Sequence, residues 1–171
     1  MKMIKKTLNY FRNHNNHAFG MGGSIRKIKT NLSVKHIRNG KMLTTRNIKN
    51  RVVTDAFVNN IVDNLDGDVT TIADYKYHDS GTGVTEEDQT DTALVTPCGE
   101  DRDTGTQAGT DNAYESVATH TYEGTFAITE HGLFNAASGV TLMDRTVFAA
   151  INVVSGDKIE FTFTISFTAG G

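Results

Sequence analysis

The chain has 171 residues, 37% apolar and 22% charged, with a single Pro and no Trp. That length predicts one domain, or one domain plus an arm, and the composition excludes a collagen-like or wholly disordered polymer. The net charge of −3 hides a division: residues 1–51 hold thirteen of the seventeen Lys and Arg and no acid (+13), while residues 52–171 hold four bases and all twenty acids (−16).

The basic segment begins Met1-Lys2-Met3-Ile4-Lys5-Lys6 with no apolar run behind it, so no secretory signal is expected. Apolar runs are only a few residues long throughout, too short for a membrane-spanning helix. Met3, Ile4, Leu8 and Phe11 fall near helical spacing and predict a short amphipathic helix over 2–12. Asn13 to His17 and Gly20 to Ser24 interrupt it. From Ser24 to Val34 polar and apolar residues alternate, as in an extended segment, with few apolar side chains to build a core. Residues 1–51 therefore read as an extended basic N-terminal arm that orders against a partner, although composition alone equally allows a flexible tail. Its expected partner contacts are Lys5, Lys6, Arg12, Arg26, Lys27, Lys29, Lys35 and Arg38. Deleting residues 1–50 is expected to leave the remainder folded.

Residues 52–171 read as the folded domain. Val53, Ala56, Phe57, Val58, Ile61, Val62 and Leu65 predict a helix over 53–65 with a wide apolar face, and Gly67 stands where a helix ends. Residues 79–115 are acidic and loop-like, with ten acids against Arg102 alone. Asp79 to Gly83 and Gly99 to Gly105 are not expected inside strands, whereas Thr92 to Thr96 could form a short one. Phe126, Ile128, Gly132 and Phe134 alternate with Ala127, Thr129, His131 and Leu133; Asn135 to Gly139 reads as a turn, and Val140 to Val154 resumes β character. Ser155 to Lys158 reads as a hairpin turn. Ile159, Phe161, Phe163, Ile165 and Phe167 then alternate with polar residues, the signature of a half-buried antiparallel strand. Short strands without a βαβ rhythm predict a mainly β fold, an antiparallel β-sandwich, jelly-roll-like, with one helix.

No acid, base and nucleophile assemble in the sequence, so no catalytic residue, no metal and no cofactor are expected. His14 and His17 lie among Asn without acids, and His120 reads as a surface residue of a strand. His131 follows Glu130, and adjacent strand residues face opposite ways, so the two cannot act together. Asp63 to Asp68 fails the calcium-loop spacing because Leu65 occupies a ligand position. Cys98 has no basic neighbour in sequence to lower its pKa, and as the single cysteine it excludes a disulfide or multi-cysteine site. Glu130 and Arg145 are expected to pair across the strands joined by the Asn135–Gly139 turn, solvation of each being the even alternative. The basic arm suits a large negative partner; Tyr10, Phe11 and Phe19 are few for stacking on bases, so nucleic acid is weakly supported.

Several segments resemble a family of tailed-bacteriophage virion proteins. They are Thr129-Glu130-His131-Gly132-Leu133-Phe134 with the small-residue turn after it, Leu142-Met143-Asp144-Arg145-Thr146-Val147-Phe148, and the Gly156-Asp157 turn before the Thr/Phe strand 159–168. Upstream, Gly81-Thr82-Gly83 and Asp91-Thr92-Ala93-Leu94 extend the likeness, which covers roughly residues 75–171 and leaves the basic arm outside. The resemblance implies a non-enzymatic virion structural protein, a capsid decoration or cement subunit docking through its arm on other virion proteins. The major capsid protein or tail proteins are the implied partners. A tail, baseplate or fibre attachment module is the alternative, and a basic-arm nucleic-acid-binding protein a more distant one. The acidic, Gly-rich 79–115 region, with little core of its own, suggests ordering at contacts within a homo-oligomer, a trimer first.

Overall fold

A computed structural model describes residues 25–67, 75–139 and 141–169. The expected helix over 2–12 and Lys5, Lys6 and Arg12 lie outside the described residues. Two five-stranded antiparallel sheets face each other. In the first the order is β2 (Lys41–Lys49), β1 (Ile25–Arg38), β10 (Lys158–Ala169), β7 (Ala113–Thr121), β6 (Thr106–Thr110). In the second it is β3 (Val52–Val53), β9 (Leu142–Val153), β8 (Phe126–Phe134), β4 (Tyr77–Gly81), β5 (Asp103–Thr104). The helix α1 spans Asp55–Asp66. No helix among the described residues is long and apolar enough to cross a membrane.

One apolar cluster joins the sheets and makes the chain a sandwich. Leu32 and Val34 of β1 and Ile159, Phe161, Phe163 and Ile165 of β10 pack with Ile128 and Leu133 of β8 and Met143, Phe148, Ile151 and Val153 of β9. The period-two alternation in β10 turns its Phe and Ile side chains inward, at about 1.5–3 kcal/mol for each large apolar side chain fully buried.

The arm boundary at 51 is corrected by β1. This strand sits inside its sheet, paired with β10 from Lys27↔Thr168 to Ile37↔Lys158 and with β2 on its other side. Leu32 and Val34 are fully buried. The inward face of β1 takes polar residues as well: Thr30 donates to Arg51 O at 3.0 Å, and His36 Nε2 meets Asp157 Oδ2 at 3.0 Å. Polar side chains satisfied in this way let a strand with two fully buried apolar residues belong to the core. Deleting residues 1–50 would strip β1 and β2 and expose the face of β10, so the expectation that this truncation stays folded is reversed.

Helix α1 starts where Thr54 accepts from Phe57 N at 3.2 Å and ends at Gly67, whose φ of 89° is the left-handed geometry glycine adopts freely. Its apolar face is wider than its contact: Phe57 is buried, while Val58, Val62 and Leu65 are exposed. Four local expectations change, the first within Gly99 to Gly105, where Asp103 and Thr104 form β5 against β4. Asp79 to Gly81 belong to β4, paired with β8. No strand forms over Thr92 to Thr96, because Val95 N and Thr96 N donate to a side chain, Glu130, instead of a strand partner. Ser155 to Lys158 is not a hairpin turn, since β9 and β10 lie in different sheets; it is a corner around the buried Asp157.

Candidate functional site

Residues 81–83, 91–96, 129–134 and 142–146 meet at Glu130. Strands β8 and β9 pair with Glu130 opposite Val147 and Gly132 opposite Arg145, so Glu130 and Arg145 are diagonal neighbours on one face. Both are fully buried. Arg145 Nε donates to Glu130 Oε2 at 2.8 Å. The carboxylate also accepts from Val95 N at 3.1 Å, Thr96 N at 2.8 Å and Gly83 N at 3.0 Å. Arg145 also donates to Asp91 Oδ2 at 2.9 Å, Thr85 O at 2.9 Å and Glu86 O at 3.4 Å. Burial works against the Arg145 charge, and its bonds to Asp91 and Glu130 outweigh it, raising its pKa. The loop from Gly81 to Pro97 is thereby folded over the pair.

The glycines of this loop have a spatial reason. A Cβ on Gly83 would run into the Glu130 carboxylate, and one on Gly81 into Thr96 O and the same carboxylate. Beside the pair, Leu94, Phe134 and Leu142 form a small apolar cluster. Arg102 closes it, with its guanidinium carbon 3.4 Å from the centre of the Phe134 ring. The Arg102 donors reach Asp79 Oδ2 at 3.2 Å and Ala136 O at 2.9 Å. A carboxylate that already accepts four hydrogen bonds, out of reach of solvent, holds shape and has no free lone pair for proton transfer.

A second buried row links the two sheets. His131 Nε2 lies 2.9 Å from His78 Nδ1, and His78 Nε2 lies 2.8 Å from Ser116 Oγ. All three residues are buried, and the His131 ring lies against Phe161 at 4.5 Å between centroids. Desolvation pulls His78 down to about 4, with Asp103 opposing, and pulls His131 well below its ordinary value, with His78 adding to the effect. Both imidazoles are therefore neutral at pH 7. Ser116 is out of reach of any substrate, which leaves this row a bolt through the core.

The basic residues expected to contact partners divide. Arg26 and Lys27 lie within β1. Lys29 is exposed. Lys35 and Arg38 make contacts within the fold: Lys35 Nζ meets Glu160 Oε1 at 2.6 Å, and Arg38 makes a two-pronged contact with Asp157 at 2.7 and 2.6 Å. The Arg38 hydrogen bonds hold the Asp157 carboxyl well below the usual range, outweighing its desolvation, with His36 and Val154 N helping. Arg51 pairs with Glu87. Part of the attraction expected between arm and partner is thus spent inside this chain.

The remaining cluster was not legible residue by residue. His120 is buried rather than exposed, and it faces Glu100 through Nε2 and Asp103 through Nδ1. Burial lowers its pKa most strongly among single influences, but Asp103, Cys98 and Glu100 together override it and hold the imidazole up at about 10. Cys98, Glu100 and His120 place their ligand atoms within 4.8 Å of one another. The cluster opens into a cleft of about 400 Å³, lined also by Asp101, Thr121 and Glu123. Cys98 lacks a basic neighbour only along the chain; in space His120 from β7 supplies one. Compared with protein-family models, curated proteins and solved structures, the chain matches none.

Proposed function

We propose that the chain is a non-enzymatic structural subunit of a tailed-bacteriophage virion, a capsid decoration or cement protein. The observation that carries this reading is convergence. Gly81–Gly83, Asp91–Leu94, Thr129–Phe134 and Leu142–Arg145 are the segments that resemble phage virion proteins, and they meet at one buried centre where the Glu130 carboxylate accepts four hydrogen bonds and Arg145 donates four, all within the chain. Such a centre supports a role in holding a surface in shape.

Two surfaces favour association with neighbours. Among the described residues nothing pairs with the outer edge of β2, a strand of nine residues that exposes Met42 and Leu43. Val58, Val62 and Leu65 make an exposed apolar stripe on α1. An open strand edge and an apolar stripe are surfaces that a shell subunit can bury against another chain. We place the contacts of a homo-oligomer there, with a trimer the first choice, and assign the basic N-terminal segment to the acidic surface of a neighbouring virion protein.

The test is composition and position. Purified particles should contain the protein by mass spectrometry, and a particle map should show its β-sandwich on the outer capsid surface in symmetric clusters. Density on the tail or baseplate would replace decoration by tail attachment. Absence from particles would remove the virion reading altogether.

A further inference from the structure

Outside the Glu130–Arg145 centre, three side chains of different ligand chemistry converge on one point: a thiol, an imidazole and a carboxylate. From this convergence we infer that Cys98, Glu100 and His120 bind one divalent transition-metal ion of the zinc class, with the fourth position open to the adjoining cleft. The ligand atoms lie within 4.8 Å of one another. Tetrahedral zinc, with bonds of about 2.0–2.3 Å, holds its donors roughly 3.3–3.8 Å apart, so an ion entering here would part His120 Nε2 from the Glu100 carboxylate that it now touches and sit between them and the Cys98 thiol.

The donor set selects the metal. Calcium and magnesium take oxygen ligands in larger number, which a thiolate and an imidazole cannot supply. A soft sulfur with a borderline nitrogen suits zinc and its neighbours in the transition series. Three protein ligands leave the fourth place to water from the cleft of about 400 Å³.

The surroundings supply what a ligating histidine needs. Asp103 engages His120 Nδ1, the ring nitrogen away from Glu100. With Nδ1 held by that carboxylate, the ring keeps its Nδ1 proton, and the ion displaces the proton from Nε2, whose lone pair it then takes. Each ligand is also held from behind. His120 stands on β7, against the Tyr122 ring at 4.6 Å. Cys98 N donates to Ser80 O at 3.0 Å, and Glu100 Oε1 accepts from Glu123 N at 2.8 Å. Asp101 and Glu123 add negative charge around the cleft. Arg102 points its donors at Asp79, Ala136 O and Gly139 O, away from competition for the three ligands. A bound ion would staple the loop at 98–103 to β7.

The 171-residue chain contains one cysteine, so thiol chemistry on it reads Cys98 alone. The protein is stripped with a chelator and titrated with Co²⁺ as a spectroscopic probe, then with Zn²⁺. The wild type should bind one equivalent of Co²⁺ with the visible bands of a tetrahedral site and a thiolate-to-cobalt charge-transfer band, and Zn²⁺ should displace both. Saturating Zn²⁺ should suppress alkylation of Cys98 by iodoacetamide. Cys98→Ser should lose the charge-transfer band, and Asp103→Asn should weaken Zn²⁺ binding by about 10–100-fold while keeping that band at saturating Co²⁺. A wild-type titration without the charge-transfer band, or Cys98 alkylated at the same rate with and without Zn²⁺, overturns the assignment whatever the variants do.

Discussion

The Glu130–Arg145 centre and the His120 cleft use the same kinds of charged groups to opposite ends. At the first, every neighbour arrives from within the chain: three backbone N–H groups and a guanidinium fill the carboxylate, and a loop folds over it. At the second, Glu100, Asp103 and Cys98 gather around a single imidazole beside a cleft. The difference is saturation. A filled network resists change and does no chemistry, whereas acceptors in excess of donors next to solvent attract a cation.

The largest expected effect comes from emptying the filled centre. Glu130→Ala leaves Arg145 buried beside unmet N–H groups and should cost about 3–5 kcal/mol, the loss seen when one partner of a buried ion pair is removed. Urea melts measure it, and a loss under 1 kcal/mol would mean that the centre is not saturated in solution. At the cleft the sign is reversed, since adding an ion should stabilise. With Zn²⁺ at a hundred times its Kd, linkage predicts about 2.7 kcal/mol of extra stability, removed by chelator and absent in Cys98→Ser.

A third buried carboxylate sharpens the comparison, because it is neither saturated nor open. Asp144 accepts from Thr146 Oγ1 at 2.7 Å, and its Oδ2 has no hydrogen-bond partner. Desolvation pushes its carboxyl up to about 7 from 3.8, against the opposing pull of Thr146, Arg51 and Thr30. The folded protein therefore keeps a proton that the unfolded chain releases at lower pH. The Asp144 contribution to stability is greatest below about pH 4 and is lost as the pH rises through about 7. Asp144→Asn lacks that slope. Its stability relative to wild type should climb between about pH 4 and 7 and then level, as read from melts across that range. The smallest effect belongs to the half-exposed pair Lys35–Glu160. Lys35→Ala should cost about 0.2–1 kcal/mol, less in high salt, because water and ions screen such contacts.

How far the sequence could be read follows the same division between apolar and polar signals. The alternation of Phe and Ile in β10, the helix around Phe57 and the antiparallel pairing of β8 with β9 were all visible, because apolar side chains repeat at the period of the element that buries them. Glu130 and Arg145 could be matched through their shared hairpin. What hid β1 was its inward use of Thr30 and His36 on either side of Leu32 and Val34, which made a core strand look like a tail. The residues at the cleft were hidden by distance: Cys98 and Glu100 lie about twenty positions from His120, and only the pairing of β4 with β8 and of β5 with β4 brings the loop beside β7. The row from His131 through His78 to Ser116 depends in the same way on one sheet lying over the other, which no local spacing encodes.

The pairing of β1 with β10 also sets a timetable. Lys35 and Glu160, joined across these strands, are 125 residues apart in the chain. At roughly 5–20 residues per second, β1 waits on the order of 6–25 s after its synthesis for the neighbour that completes its sheet. Until then the face bearing Leu32 and Val34 and the free edge of the β1–β2 hairpin are open to other chains. On a crowded ribosome the nearest such partner is the same hairpin on the next nascent copy, so the order of strands in this fold leaves an interval for strand exchange between subunits before either has closed.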